Sequence, residues 1–128
     1  MTKKVLLIDD HLLDITLTRQ ALSDCSIPHK MIASLDGAEG LTQLKRGDFD
    51  VVILDLKMPR VDGFEVLEAM RRMPELAKLP VIVLSGSNLQ ADRDRARDLG
   101  AVEYVQKALD FQEFKLELKS ALSRHGFC

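Results

Sequence analysis

Four apolar runs in this chain end in, or run on to, groups that handle charge or protons. "VLLI" (Val5 to Ile8) runs into Asp9, Asp10 and His11, and "VVIL" (Val51 to Leu54) into Asp55, with Lys57 two places on. "VIVL" (Val81 to Leu84) is followed by Ser85, Gly86 and Ser87, and "VEYV" (Val102 to Val105) holds Tyr104 and precedes Lys107. Carboxylates gathered at one place repel, and their pKa values rise unless a cation intervenes. An oxygen-rich, histidine-poor set suits a hard divalent cation such as Mg²⁺, octahedral with several retained waters. The ammonium of Lys107 would neutralise further charge. Such a pocket can hold one carboxylate ionised as a nucleophile while cationic groups meet an incoming phosphoryl group. Asp55 is the best placed nucleophile, because a central strand would deliver it to the middle of the rim.

Every one of these residues also has an ordinary structural job. Asp9 and Asp10 could cap the helix that follows, the commonest use of aspartate at a strand-to-helix turn. Asp55 could open the turn through "KMPRVDG", Ser85 could cap a helix entry, Lys107 could be a solvated charge and Tyr104 an amphipathic core residue. Taken singly, those readings are the better ones. Taken together they are not, since four separate strands would have to end in complementary chemistry by chance.

The elements that must position these groups follow from periodicity. The three strongest runs are short, β-branched and apolar at successive positions, as strands are when helices cover both faces of a parallel sheet. "MIA" (Met31 to Ala33) and "VEYV" are weaker examples. Between the runs lie helical repeats: Leu13, Leu17 and Ala21; Phe64, Leu67 and Met70; and Phe111, Phe114, Leu118, Ala121 and Leu122. Five β-then-α units predict a doubly wound α/β sandwich with a parallel sheet, whose ligand site lies at the carboxyl ends of the strands.

Bulk properties fit. A chain of 128 residues, 46% apolar and 30% charged, is expected to be one domain with a sizeable core. Its net charge of −2 argues against a general nucleic-acid binder, and no apolar run approaches a membrane span. Cys25 and Cys128 suggest no disulfide framework, so a reducing cytoplasm is the expected location. His11, His29 and His125 show no metal-ligand spacing and read as surface or loop residues. In "ADRDRARDLG", Asp92 with Arg95 and Asp94 with Arg97 read as pairs on a solvated helix face.

"VLLIDD", "VILDLKMPRVDG", "VIVLSGS" and "EYVQKA" together resemble the CheY-like receiver domain of two-component response regulators over essentially the whole chain. The resemblance implies a flavodoxin-like (βα)5 fold with strand order 2-1-3-4-5. It implies that Asp55 accepts a phosphoryl group from a sensor histidine kinase or a histidine phosphotransfer protein. Asp10, Asp55 and the backbone carbonyl of Lys57 would ligate Mg²⁺, with Asp9 acting through water. Ser85 and Lys107 would meet the phosphoryl oxygens, and Ser85 with Tyr104 would form the switch. A homodimer through the fourth helix, fifth strand and fifth helix is a secondary expectation. Residues 1–128 would form a single receiver domain with no output domain. The texture of "LDLKMPRVDG" and "LSGSN" resembles the small regulators paired with bacterial phytochrome kinases.

Two positions depart from the pattern. The family usually has proline after its lysine, joined by a cis bond, whereas Ala108 stands here; a cis bond before alanine would cost roughly 2.5–4 kcal/mol. Lys57 adds a positive side chain beside the site and is expected to tune phosphoryl lifetime or kinase choice. The competing reading is a Mg²⁺-dependent phosphohydrolase with an aspartyl-phosphate intermediate, but Lys57 occupies the place where those enzymes carry a second acid. Flavodoxin-like FMN binding ranks last, because "DDHLLD" presents carboxylates where a phosphate wants N–H donors.

Overall fold

The computed structural model describes residues 2–107 and 110–128. Strands and helices alternate: β1 (Lys3–Ile8), α1 (Leu12–Ser23), β2 (His29–Ser34), α2 (Gly37–Arg46), β3 (Val51–Asp55), α3 (Gly63–Arg71), β4 (Val81–Ser85), α4 (Gln90–Asp98), β5 (Glu103–Gln106) and α5 (Phe111–Arg124). The strands form one parallel sheet in the order β2-β1-β3-β4-β5. The doubly wound architecture and its strand order are those expected. The two weak strands shift at their ends: β2 is longer than "MIA", and β5 begins one residue later than "VEYV".

Alternation along the strands builds a core on each face. Val5, Leu7, Val51, Ile53, Ile82 and Leu84 face one side and pack with Leu22 of α1 and Phe114, Leu118 and Leu122 of α5. Leu6, Ile8, Val52, Leu54, Val81 and Val83 face the other, against Leu44 of α2, Val66, Leu67 and Met70 of α3 and Ala96 of α4. Every residue of β3 and β4 is buried, which is why those segments read as unbroken apolar runs. At about 25 cal/mol per Å² of apolar surface removed from water, these two layers dominate the stabilisation. α4 differs from its neighbours: it buries only Ala96 and, apart from the exposed Ala91, is otherwise polar.

Two expectations need correcting. Cys25 and Cys128 form a disulfide, with Cα atoms 5.0 Å apart across a sequence separation of 103. Sequence spacing gave no hint because the pairing is tertiary: α1 and α5 lie side by side on one face, so the residues just beyond their C-termini meet. The argument from cysteine usage to a reducing compartment therefore loses its basis. No helix among the described residues is long and apolar enough to cross a membrane.

The second correction concerns the helix-face pairs. Arg97 does reach Asp94, at 3.3 Å. Arg95 instead pairs with Glu68 at 3.4 Å and lies over the Phe64 ring, while Asp92 turns inward to accept from the Ser87 hydroxyl at 2.6 Å. Tertiary partners outcompete the neighbours one turn away. The bond between Lys107 and Ala108 lies outside the described residues.

Candidate functional site

Sheet register assembles the rim. Ile8 pairs with Leu54 and Leu84 with Asp55, so Asp9 and Asp55 leave adjacent strands at neighbouring levels. The Lys107 N–H donates to the Ser85 carbonyl at 2.7 Å, which extends the β4–β5 ladder and aims the lysine along the strand ends. The loop after β3 then folds back so tightly that Gly63, first residue of α3, donates its N–H to the Leu56 carbonyl at 2.9 Å. A Cβ at Gly63 would lie 2.6 Å from Leu56 Cα and would run into the Asp55 carbonyl. Asp62 caps α3 through a reciprocal box with Glu65, fixing the far end of the loop.

Within this frame Asp55 is 2% exposed and Asp9 fully buried. Lys107 Nζ lies 3.2 Å from Asp55 Oδ1, 3.4 Å from Asp9 Oδ2 and 2.7 Å from Asp14 Oδ2. Backbone donors add to it: the Lys57 N–H reaches Asp55 Oδ1 at 3.3 Å, and the His11 N–H reaches Asp9 Oδ1 at 2.9 Å. Burial pushes the Asp9 carboxyl up to about 6, against the pull of the His11 N–H and Lys107 and with help from Asp55 and Asp14. Burial likewise raises Asp55, with Lys107 and the Lys57 N–H opposing. For Lys107 burial works to lower the pKa, but the Asp14 hydrogen bond and the charges of Asp9, Asp55 and Asp14 together outweigh it and the net shift is upward. Each ion favours its neighbour's charged form, which prevails for Lys107 but not for Asp9 and Asp55, where burial keeps the net shift upward.

The cluster is short of cations all the same. Asp9 Oδ2, Asp10 Oδ1 and Asp55 Oδ2 are buried oxygens with no hydrogen-bond partner among the described residues. One donor atom from each of Asp9, Asp10, His11 and Asp55 lies within 4.8 Å of the others. Hard, oxygen-rich and under-neutralised, the set fits a divalent cation of the Mg²⁺ class. His11 is the exposed loop residue expected, yet it also belongs to the cluster, its Nδ1 lying 3.1 Å from Asp10 and 3.7 Å from Asp55.

The remaining residues form a second group. The Ser85 hydroxyl, fully buried, accepts from the Ser87 N–H at 3.0 Å. The Tyr104 hydroxyl donates to the Ser87 carbonyl at 3.1 Å. Ser87 thus joins Ser85, Tyr104 and Asp92 of α4 in one network. Gly86 is exposed and a Cβ there would meet nothing within 4 Å, so no crowding accounts for it. Sequence reasoning placed Ser87 at the strand end but gave it no role, and it missed Asp14, which follows Asp10 by four residues in "DDHLLD", a helical step that would have flagged it.

Comparison with known proteins places the chain. Residues 5–119 match the family described as response regulator receiver domain. A probable transcriptional regulator, ycf27, of Porphyridium aerugineum is 32% identical over 95% of this chain and 49% of its own length. The structure of the phosphorylated cyanobacterial phytochrome response regulator RcpA superposes with a TM-score of 0.89 at 30% identity, covering 96% of this chain and 93% of that one. The bacteriophytochrome response regulator RtBRR gives 0.82 at 33% identity, covering 98% and 79%. This chain spans about half the length of the first curated relatives it matches (44%, 53% and 49%). A parallel sheet of order 2-1-3-4-5, a buried acidic rim answered by one lysine, and a match over nearly the whole length lead to one conclusion: the chain belongs to the response regulator receiver domain family.

Proposed function

We propose that Asp55 accepts a phosphoryl group from a phosphohistidine on a sensor histidine kinase or a histidine phosphotransfer protein, and that the modified domain signals by a change of surface. The observation that carries this reading is the setting of Asp55: nearly sealed from water, one oxygen 3.2 Å from Lys107, the other unpartnered and turned toward the acidic cluster. An Asp55 oxygen would form the new P–O bond as the P–N bond of the donor breaks, leaving the electron pair on the imidazole nitrogen, which takes up a proton from solvent. Lys107 and the Lys57 N–H favour the ionised form of Asp55 needed for that attack, in opposition to burial, which on balance raises its pKa. Asp10, Asp55 and the Lys57 carbonyl would hold Mg²⁺, with Asp9 acting through water. Such an ion supplies positive charge to the transferring oxygens.

After transfer, the Ser85 hydroxyl, which accepts from Ser87, has its own proton to offer a phosphoryl oxygen. Movement of Ser85 would be felt at Ser87 and passed to Tyr104 and to Asp92 at the start of α4. α4 is thinly anchored, and Leu89, Val102 and Leu116 are exposed on the surface made by α4, β5 and α5, which suits that face to partner or self-association. The Lys57 side chain, exposed beside the site, would tune the lifetime of the acyl phosphate; unchanged uptake and loss in Lys57→Asn would remove that role.

The test is incubation with acetyl phosphate and Mg²⁺ followed by peptide mass mapping. Stoichiometric labelling at Asp55, abolished in Asp55→Asn, is the expected result. Label on another residue, or steady turnover of phosphomonoesters, would overturn it, the latter in favour of a phosphohydrolase.

A further inference from the structure

Besides the Lys107 ammonium, the acidic cluster holds a nitrogen that can ligate a metal, that of His11. His11 follows the two aspartates of β1, and its ring, though 60% exposed, aims Nδ1 inward: 3.1 Å from Asp10 Oδ1, 3.3 Å from Asp9 Oδ1, 3.6 Å from Asp14 Oδ2 and 3.7 Å from Asp55 Oδ2. Around an octahedral ion with bonds of about 2.1 Å, neighbouring donor atoms lie about 3.0 Å apart and opposite ones about 4.2 Å apart. The 3.1 Å separation of Nδ1 from Asp10 matches adjacent donors, and the 3.7 Å separation from Asp55 lies between the adjacent and opposite values. The buried oxygens Asp10 Oδ1 and Asp55 Oδ2, which accept no hydrogen bond among the described residues, face the same space. The backbone N–H of His11 is already committed to Asp9 at 2.9 Å, which fixes where the ring departs from the chain.

We propose that His11 is a specificity-determining ligand: its neutral imidazole coordinates through Nδ1 in a position that an all-oxygen site leaves to water, and it biases the site toward first-row transition ions such as Mn²⁺ over Mg²⁺. Imidazole suits transition ions, whereas Mg²⁺ takes oxygen and surrenders its waters reluctantly. This rests on the reading that a divalent ion occupies the Asp9, Asp10 and Asp55 cluster. The alternative role for His11 is that of a counter-charge, an imidazolium that a cation would expel.

The two roles separate experimentally. Calorimetric titration of the full chain with Mg²⁺ and with Mn²⁺ should show binding of both, lost in Asp10→Asn. His11→Asn, which replaces the nitrogen by an oxygen of similar reach, should weaken Mn²⁺ by about tenfold while leaving Mg²⁺ within about twofold. Electron spin-echo modulation of the Mn²⁺ complex should show a directly bound ¹⁴N that disappears in His11→Asn. Parallel changes for both ions, tighter binding of both in the variant, or no ¹⁴N coupling in the wild-type complex would overturn the ligand role while leaving the cation site intact. Failure of the wild-type chain to bind either ion would instead remove the site itself, and the inference with it.

Discussion

Asp9 makes no contact with solvent and still carries an acid that titrates near 6, against an ordinary 3.8. Its folded-state pKa is raised, so between about 3.8 and about 6 the folded protein holds a proton that the unfolded chain has released. That contribution to stability is present at the acid end and fades as pH rises through the window. Without divalent ions, Asp9 should therefore favour folding more at pH 5 than at pH 7, and Asp9→Asn should raise the neutral-pH melting temperature and flatten the slope between pH 4 and 6. A bound cation would compete with protons for these carboxylates, so a Mg²⁺-induced rise in melting temperature should shrink as pH falls through that interval. Chemical denaturation and thermal melts at matched ionic strength measure both; a steeper acid slope in Asp9→Asn would contradict the assignment. At this scale Asp9, Asp55 and Ser85 were legible in the sequence because each stands immediately after an apolar run, whereas Asp14 was not. The depth of burial was not, since it depends on helices contributed by distant segments.

Loops and helices decide how accurately those side chains are held. The β3–α3 loop returns on itself at Gly63, where a methyl group would strike the Asp55 carbonyl and sit 2.6 Å from Leu56 Cα, both of them backbone. Gly63→Ala should cost about 1–3 kcal/mol and shift Asp55 as it does so. Both a lower urea midpoint and slower phosphoryl uptake are expected; a stable variant with normal uptake would show that the loop has slack. On the opposite side, Ser87→Ala removes the hydroxyl that meets Asp92 and the Leu89 N–H but keeps the backbone groups that reach Ser85 and Tyr104. Phosphorylation should survive that change, while amide exchange in α4 accelerates. Strands β1, β3 and β4 could be read directly, being buried on both faces. β2 and β5 blurred at their ends because they border the sheet, where one side lacks a partner strand and polar residues enter. The pairing of Arg95 with Glu68 could not be read at all, for it joins two helices that only the fold brings together.

On the scale of the molecule, the unexpected feature is the covalent link between the ends of α1 and α5. Closing a loop of this length should stabilise the fold by about 2–5 kcal/mol, chiefly by restricting the unfolded chain. Reduction, or Cys25→Ser with Cys128→Ser, should lower the urea midpoint by a corresponding amount and leave the far end of the sheet, with Asp55, unchanged. Non-covalent contacts reinforce the same place: Lys115 of α5 meets Asp24 at 2.7 Å, and the Phe127 carbonyl lies 2.6 Å from His29 Nε2. α1 is consequently moored twice, by Asp14 to Lys107 at the acidic rim and by Cys25 to Cys128 at its foot. A rod fastened at both ends cannot fray from either. In hydrogen–deuterium exchange, the amides of α1 and α5 should open together as one cooperative block while the sulfur link is intact. Once it is cut, the last turn of α1 should begin to exchange on its own.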